Sequence, residues 1–149
     1  MIALAVGWAT VDLDRAALEL TPRLVAGTAF QEAPDCDLLG GRCRIGRLAE
    51  PGADGASLVI LLEPSTEGRL AATLARHGEG PMAIWLEDQS YTPDLPDPPD
   101  PPDLPDTPSD PRRSIAMAGP FGTEALLLGG PIHGPHRLVV LAGPGTITP

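Results

Sequence analysis

The stretch LVILLEPSTEGRLAATLARHGEGPMAIWLE, Leu58–Glu87, decides how this chain is organised. It opens on an uninterrupted apolar run that stops at Glu63-Pro64, the pattern of a buried strand ended by a residue that cannot donate to a ladder. In STEGRLAATLARHGEG, Leu70, Ala71, Leu74 and Ala75 fall on one helical stripe. Ser65 or Thr66 is the expected N-terminal cap, and Gly78 suits the C-terminal reversal. PMAIWLED then predicts another strand. His77, in the last helical turn, is favoured there by the helix dipole.

Upstream, IALAVGWATV (Ile2–Val11) predicts a strand. DLDRAALEL predicts a helix capped by Asp12 or Asp14, with Leu13, Ala16, Ala17 and Leu20 on one face and Pro22 ending it. VAGTAFQEAPD reads as a loop or irregular connection. In DLLGGRCRIGRLAE, Cys43, Ile45 and Gly41 point one way and Arg42, Arg44 and Gly46 the other, which predicts a strand. PGADG is a turn, so this strand and ASLVILLEP form a hairpin. The first half thus reads strand, helix, strand, strand, helix, strand.

Downstream lies PDLPDPPDPPDLPDTPSDP, Pro93–Pro111. Proline withholds amide donors, so the tract predicts polyproline II rather than a central strand or helix. In that form Asp94, Asp97, Asp100, Asp103 and Asp106 line one acidic edge, and the tract spans roughly 60 Å at about 3.1 Å per residue. It reads as a stiff acidic spacer. RRSIAMAGP, TEALLLGG and HRLVVLAG then predict three strands joined by Gly- and Pro-rich turns.

The chain has 149 residues and a formal charge of −10, with six Asp inside the Pro/Asp tract. A chain of this length buries one core without staples. The basic residues are all Arg; the absence of Lys excludes Schiff-base catalysis by a side-chain amine. The acidic balance argues against nucleic acid and against anionic membrane surfaces. The first apolar run is too short to span a bilayer and has no basic segment before it, so the expected location is cytoplasmic. Cys36 and Cys43 are expected as free thiols. The Gly-rich segments GPFGTE and AGPGT precede no predicted helix, so they are not phosphate loops.

VGWATVDLDRAALEL and LVILLEPSTEGRLAATLARHGEGPMAIWLE resemble the vicinal-oxygen-chelate superfamily, the glyoxalase and bleomycin-resistance group. The resemblance covers Ile2 to Glu87. It implies an α+β fold in which paired βαβββ modules form a curved mixed sheet around a cavity, commonly in a homodimer. It implies a first module over residues 1–91, a Pro/Asp-rich extended linker over 92–111, and a reduced second module over 112–149 that lacks a clear helix. In metal-dependent members of the superfamily, His residues and a Glu hold the metal. The matching positions here are Ala5, then Met82 and Ala83, and a last strand LVVLAG with no carboxylate. The expectation is therefore the fold without the usual metal site and with no cofactor.

Several side chains are candidates for a site. Glu63, Glu124 and His136 are the candidate acid–base groups. Trp8, Trp85, Phe121, Arg44 and His133 are the candidate ligand contacts. The two indoles are expected to face one concave surface, with Phe121 and Tyr91 closing one end. Arg42 and Arg44 share a strand face and suit a carboxylate or phosphate clamp. The expected function is binding of a small organic molecule in a sheet-lined cavity, with an acidic chain suiting a cationic or neutral ligand. The alternative is a lyase or isomerase working metal-free or with a displaced set such as Glu124, His133 and His136.

Overall fold

The computed structural model describes residues 2–52, 55–87, 115–128 and 135–141. The expectations for the Pro/Asp tract, Tyr91 and His133 lie outside these residues. The described elements run β1 (Ile2–Ala9), α1 (Leu13–Leu20), β2 (Gln31–Cys36), β3 (Gly41–Arg47), β4 (Leu58–Pro64), α2 (Arg69–His77), β5 (Gly80–Glu87), β6 (Met117–Gly119), β7 (Gly122–Leu126) and β8 (His136–Val140). No described helix is long and apolar enough to cross a membrane.

The strands form one curved mixed sheet in the order β2-β3-β4-β1-β5-β8-β7-β6. β1 runs parallel to β4 and antiparallel to β5, while β5 runs parallel to β8. The order β5-β8-β7-β6 therefore repeats β1-β4-β3-β2, which is the paired-module arrangement. β5 pairs with both β1 and β8 and so joins the two sets of strands. Residues 88–114 stand in the chain between β5 and β6, where α1 stands between β1 and β2. The sheet curls until its edges meet: the Asp37 amide donates to the Ala118 carbonyl at 3.0 Å, just beyond β2 on one side and within β6 on the other.

β2 corrects the loop reading of VAGTAFQEAPD. Gln31–Cys36 is polar, carries Pro34, and only Cys36 is buried, so it lacks the apolar alternation of an inner strand. As an edge strand with an irregular register between Ala33 and Cys36 it tolerates both features.

α1 starts as expected. The Asp12 side chain accepts from the Arg15 amide at 3.0 Å, and Leu13 and Ala16 are buried. α2 starts differently. Its N-cap is Gly68, with no side-chain cap; the Leu70 amide instead donates to the Leu39 carbonyl of the β2–β3 connection at 3.0 Å. Neither Ser65 nor Thr66 caps the helix, because the neighbouring loop supplies the acceptor. α2 ends at Gly78 with φ 74°, the conformation expected of a glycine cap.

Each helix covers a different face of the sheet. Alternate residues of β1 divide the core: Ala5 and Ala9 join Ile60, Leu62, Ala83, Trp85, Leu126 and Leu138 on the inner face, with Leu70 of α2. Trp8 joins Leu13, Ala16 and Leu61 on the outer face beneath α1.

Candidate functional site

Among the described residues the inner face holds one buried acid. Glu124 on β7 is fully buried, and both of its oxygens accept hydrogen bonds: Oε2 from Trp85 Nε1 at 2.8 Å and Oε1 from the Phe121 amide at 3.0 Å. The rings of Trp85 and Phe121 meet edge to face at 6.2 Å. Burial pushes the Glu124 carboxyl above its ordinary range, and the two donors pull it back in part. The carboxyl fits because Gly119 has no side chain: a Cβ there would stand 2.2 Å from Glu124 Oε2. Cys36 and Cys43 lie in the same core as free thiols. Burial pushes Cys36 up to about 12 and raises Cys43 as well, with the Glu124 charge adding to both. These thiols are therefore protonated and unreactive in the folded chain.

This arrangement corrects the expectation for the indoles. Trp85 pairs with Ala5, and Trp8 pairs with Pro81 across a register shift. Trp85 consequently fills the inner core, while Trp8 lies on the α1 face. Phe121 packs against the inner cluster with Trp85 rather than closing a pocket with it. Space around the Trp85 ring is tight, since a Cβ on Gly7 would come within 2.7 Å of Cζ3.

The positions that the superfamily resemblance assigns to metal ligands also lie here. Ala5, Met82 and Ala83 are buried in the inner cluster, next to Leu138 of β8. Among the described residues no three His, Cys, Asp or Glu side chains form a group able to hold a metal ion. The donor set at these positions is aliphatic and thioether, which does not fit zinc, iron or manganese bound through nitrogen and oxygen.

The remaining candidates are scattered. Glu63 serves α1: its Oε2 accepts from the Leu13 amide at 2.9 Å, and its Oε1 accepts from Arg42. This stabilises the positive end of the helix. Arg44 bridges Asp14 at 2.8 Å and Glu32 at 2.9 Å. Both arginines of the expected clamp are thus neutralised by the chain's own carboxylates. Glu124 lies opposite Val140 on β8, four residues along the strand from His136. That separation is roughly 13 Å at about 3.3 Å per residue, too far for a direct proton relay.

Two concavities flank the start of β5, both touching Pro81. One, about 580 Å³, is on the α1 face. Val6, Trp8, Val59 and Pro81 provide its floor, and Leu20 and Leu48 are among its walls. Arg23 and Glu50 are its charged groups. The other, about 650 Å³, lies between α2 and the start of β8 and is lined by Arg69, Arg76, His77, Glu79 and His136 among others. Glu79 is already engaged: it accepts from the Thr10 hydroxyl at 2.7 Å, the Val11 amide at 2.9 Å and Arg15, which hold its carboxyl down at about 2. His136, half-buried, titrates below the ordinary imidazole range because of burial first and the charge of Arg69 second.

Neither cavity was legible as such in the sequence. The first needs the α1–β1 face and the β3–β4 turn brought together. The second had a local signal, the helical spacing of Arg69 and Arg76 on the side of α2 away from Leu70 and Leu74, which the apolar reading of that helix passed over.

Two βαβββ-type halves sharing one curled sheet, with the second half lacking a helix among the described residues, define a fold of the vicinal-oxygen-chelate, or glyoxalase-like, type. Solved structures place the chain within that type. A variant of the methylmalonyl-CoA epimerase of Streptomyces coelicolor in complex with 2-nitronate-propionyl-CoA superposes with a TM-score of 0.63 at 19% identity, covering 93% of this chain and 95% of that one. The methylmalonyl-CoA epimerase of Mycobacterium tuberculosis gives 0.60 at 19% identity, covering 95% and 88%. A hypothetical protein of Bacillus halodurans C-125 gives 0.55 at 15% identity, covering 98% and 97%. No protein-family model matches the sequence, and no curated protein matches it. The likeness is therefore one of fold.

Proposed function

We propose that this chain is a glyoxalase-like-fold protein that binds a small organic molecule in the sheet-lined cavity beside Trp8, without the metal site that the superfamily resemblance implies. The Trp8 cavity is the observation that carries this reading. At about 580 Å³ it falls in the usual range for small-molecule sites, roughly 300–1,000 Å³. Its floor is apolar, and the half-buried indole offers a broad contact surface. Arg23 has no carboxylate partner among the described residues, so it suits an anionic substituent at the rim. Glu50 lines the same cavity, so the two charges leave the site near neutral overall, and the Arg23 side of the rim is where an anionic group would dock.

The probe 1-anilinonaphthalene-8-sulfonate, an apolar bicycle with one anionic group, tests the reading by its fluorescence enhancement. Saturable binding is expected, weakened about tenfold by Val6→Phe, which fills the cavity, and several-fold by Arg23→Gln. Wild-type affinity in both variants would remove the cavity from consideration.

A second reading follows from the coverage of the epimerase likeness. A methylmalonyl-CoA epimerase in complex with methylmalonyl-CoA superposes with a TM-score of 0.61 at 18% identity, over 93% of this chain. In that reading the chain is an isomerase or lyase with a proton-transferring group such as His136. Deuterium uptake at the α-carbon of methylmalonyl-CoA in heavy water, followed by NMR, decides it. Catalysed uptake lost in His136→Gln supports catalysis; uptake at the uncatalysed rate excludes it.

A further inference from the structure

We propose that the groove between α2 and the start of β8 binds an elongated organic molecule carrying a phosphate at each end. This site shares only Pro81 with the Trp8 cavity and does not depend on the reading given to it.

The helix supplies the first observation. Arg69, Ala72, Thr73, Arg76 and His77 all line the groove. Their spacing of i, i+3, i+4, i+7 and i+8 makes one continuous stripe. Leu70 is buried in the core and Leu74 packs against it, so this stripe is the helix's outward-facing side. Two guanidinium-bearing positions thus stand at opposite ends of the groove, seven residues apart, which is roughly 10 Å along the helix at about 1.5 Å per residue. Small side chains, Ala72 and Thr73, lie between them. The Thr73 hydroxyl donates to the Arg69 carbonyl at 2.9 Å and is spent within the helix.

Charge supplies the second. Neither Arg69 nor Arg76 has a carboxylate partner among the described residues, whereas Arg15, Arg42 and Arg44 all do. Among the described residues Glu79 is the sole acidic side chain lining the groove, and it is committed to Thr10, Val11 and Arg15. The groove is therefore cationic within a chain of net charge −10.

The third observation is the placement of Arg69. It is the first residue of α2, where the helix dipole opposes a positive charge and where no side chain caps the helix. Arg76 and His77 are explained by the helix C-terminus; Arg69 is not. Its charge is nevertheless felt across the groove by His136, so the two groups face the same space. Neutral His136 adds a hydrogen-bonding group on the opposite wall. Guanidinium forks match phosphate oxygens in pairs, and separated forks select a ligand with separated phosphates.

The test is isothermal titration of the full chain, at low ionic strength, with fructose 1,6-bisphosphate, glucose 6-phosphate and inorganic phosphate as probes. The bisphosphate is expected to bind about tenfold or more tightly than glucose 6-phosphate. R69Q and R76Q each reduce its affinity about tenfold, and each removes most of its advantage over the monophosphate. Both residues are exposed, so the variants are expected to fold, which circular dichroism checks. R23Q, at the other cavity, leaves bisphosphate binding unchanged. No advantage of bisphosphate over monophosphate, no binding of the bisphosphate, or wild-type affinity in the R69Q/R76Q double variant would each overturn the proposal.

Discussion

Replacing Glu124 by Gln isolates the cost of burying an acid in this core. The wild-type carboxyl accepts from Trp85 and from the Phe121 amide, both neutral donors, and meets no cation among the described residues. At low pH both variants are neutral. Gln can accept only one of the two bonds, since its NH₂ group faces the other donor, and an unsatisfied buried donor costs about 1–3 kcal/mol. Wild type is therefore the more stable at pH 4. The folded-state pKa of Glu124 is raised by burial, so between the unfolded value of about 4.3 and the higher folded value the native chain holds the proton that the unfolded chain has released. Stability from this group is thus full below the unfolded pKa and is lost as pH rises, by at most about 1.4 kcal/mol per pH unit. Gln has no such loss. Urea unfolding followed by the fluorescence of buried Trp85, at half-unit steps from pH 4 to 8 and corrected for slope, should show the advantage of wild type shrinking as pH rises. A difference constant to within about 0.3 kcal/mol across that range would refute the argument, because it would mean that Glu124 titrates alike in the folded and unfolded chains.

Two further outcomes follow from the same core. Cys36 and Cys43 should be silent to Ellman's reagent at pH 8 in the folded chain and should both react in guanidinium, because burial keeps each as a thiol; rapid reaction of either without denaturant would contradict their placement. Gly7→Ala sets a methyl group 2.7 Å from Trp85 Cζ3 and 2.9 Å from the Ala83 Cβ, neither of which has room to retreat. It should cost about 1–3 kcal/mol in thermal or denaturant unfolding, and an unchanged midpoint would show that the inner face is looser than described.

Much of the fold is readable along single elements. The apolar run ending in Glu63-Pro64, the Asp12 cap and Gly78 reappear as β4, the start of α1 and the end of α2. What escaped depends on relations between elements. β2 is hidden because an edge strand has no need for the alternation that reveals an inner one. The α2 cap is hidden because its acceptor is the backbone of Leu39, thirty-one residues before the Leu70 donor and carrying no residue preference. The division of Trp8 from Trp85 turns on register, since period-two alternation tells which residues of one strand agree but not how two strands are phased. Site reading failed most at the arginines for a related reason: Arg42 and Arg44 look like a clamp in one strand, and only the fold supplies Glu63, Asp14 and Glu32 to quench them.

The seam where Asp37 meets Ala118 links residues more than half the chain apart. Contacts of such separation form late, after the closure of a long loop has been offset by other interactions. The seam also covers two strand edges that would otherwise template pairing with another chain. Its opening would release both edges together and expose pairing-competent backbone while the rest of the sheet stays folded, and amide exchange at Asp37 would report that opening.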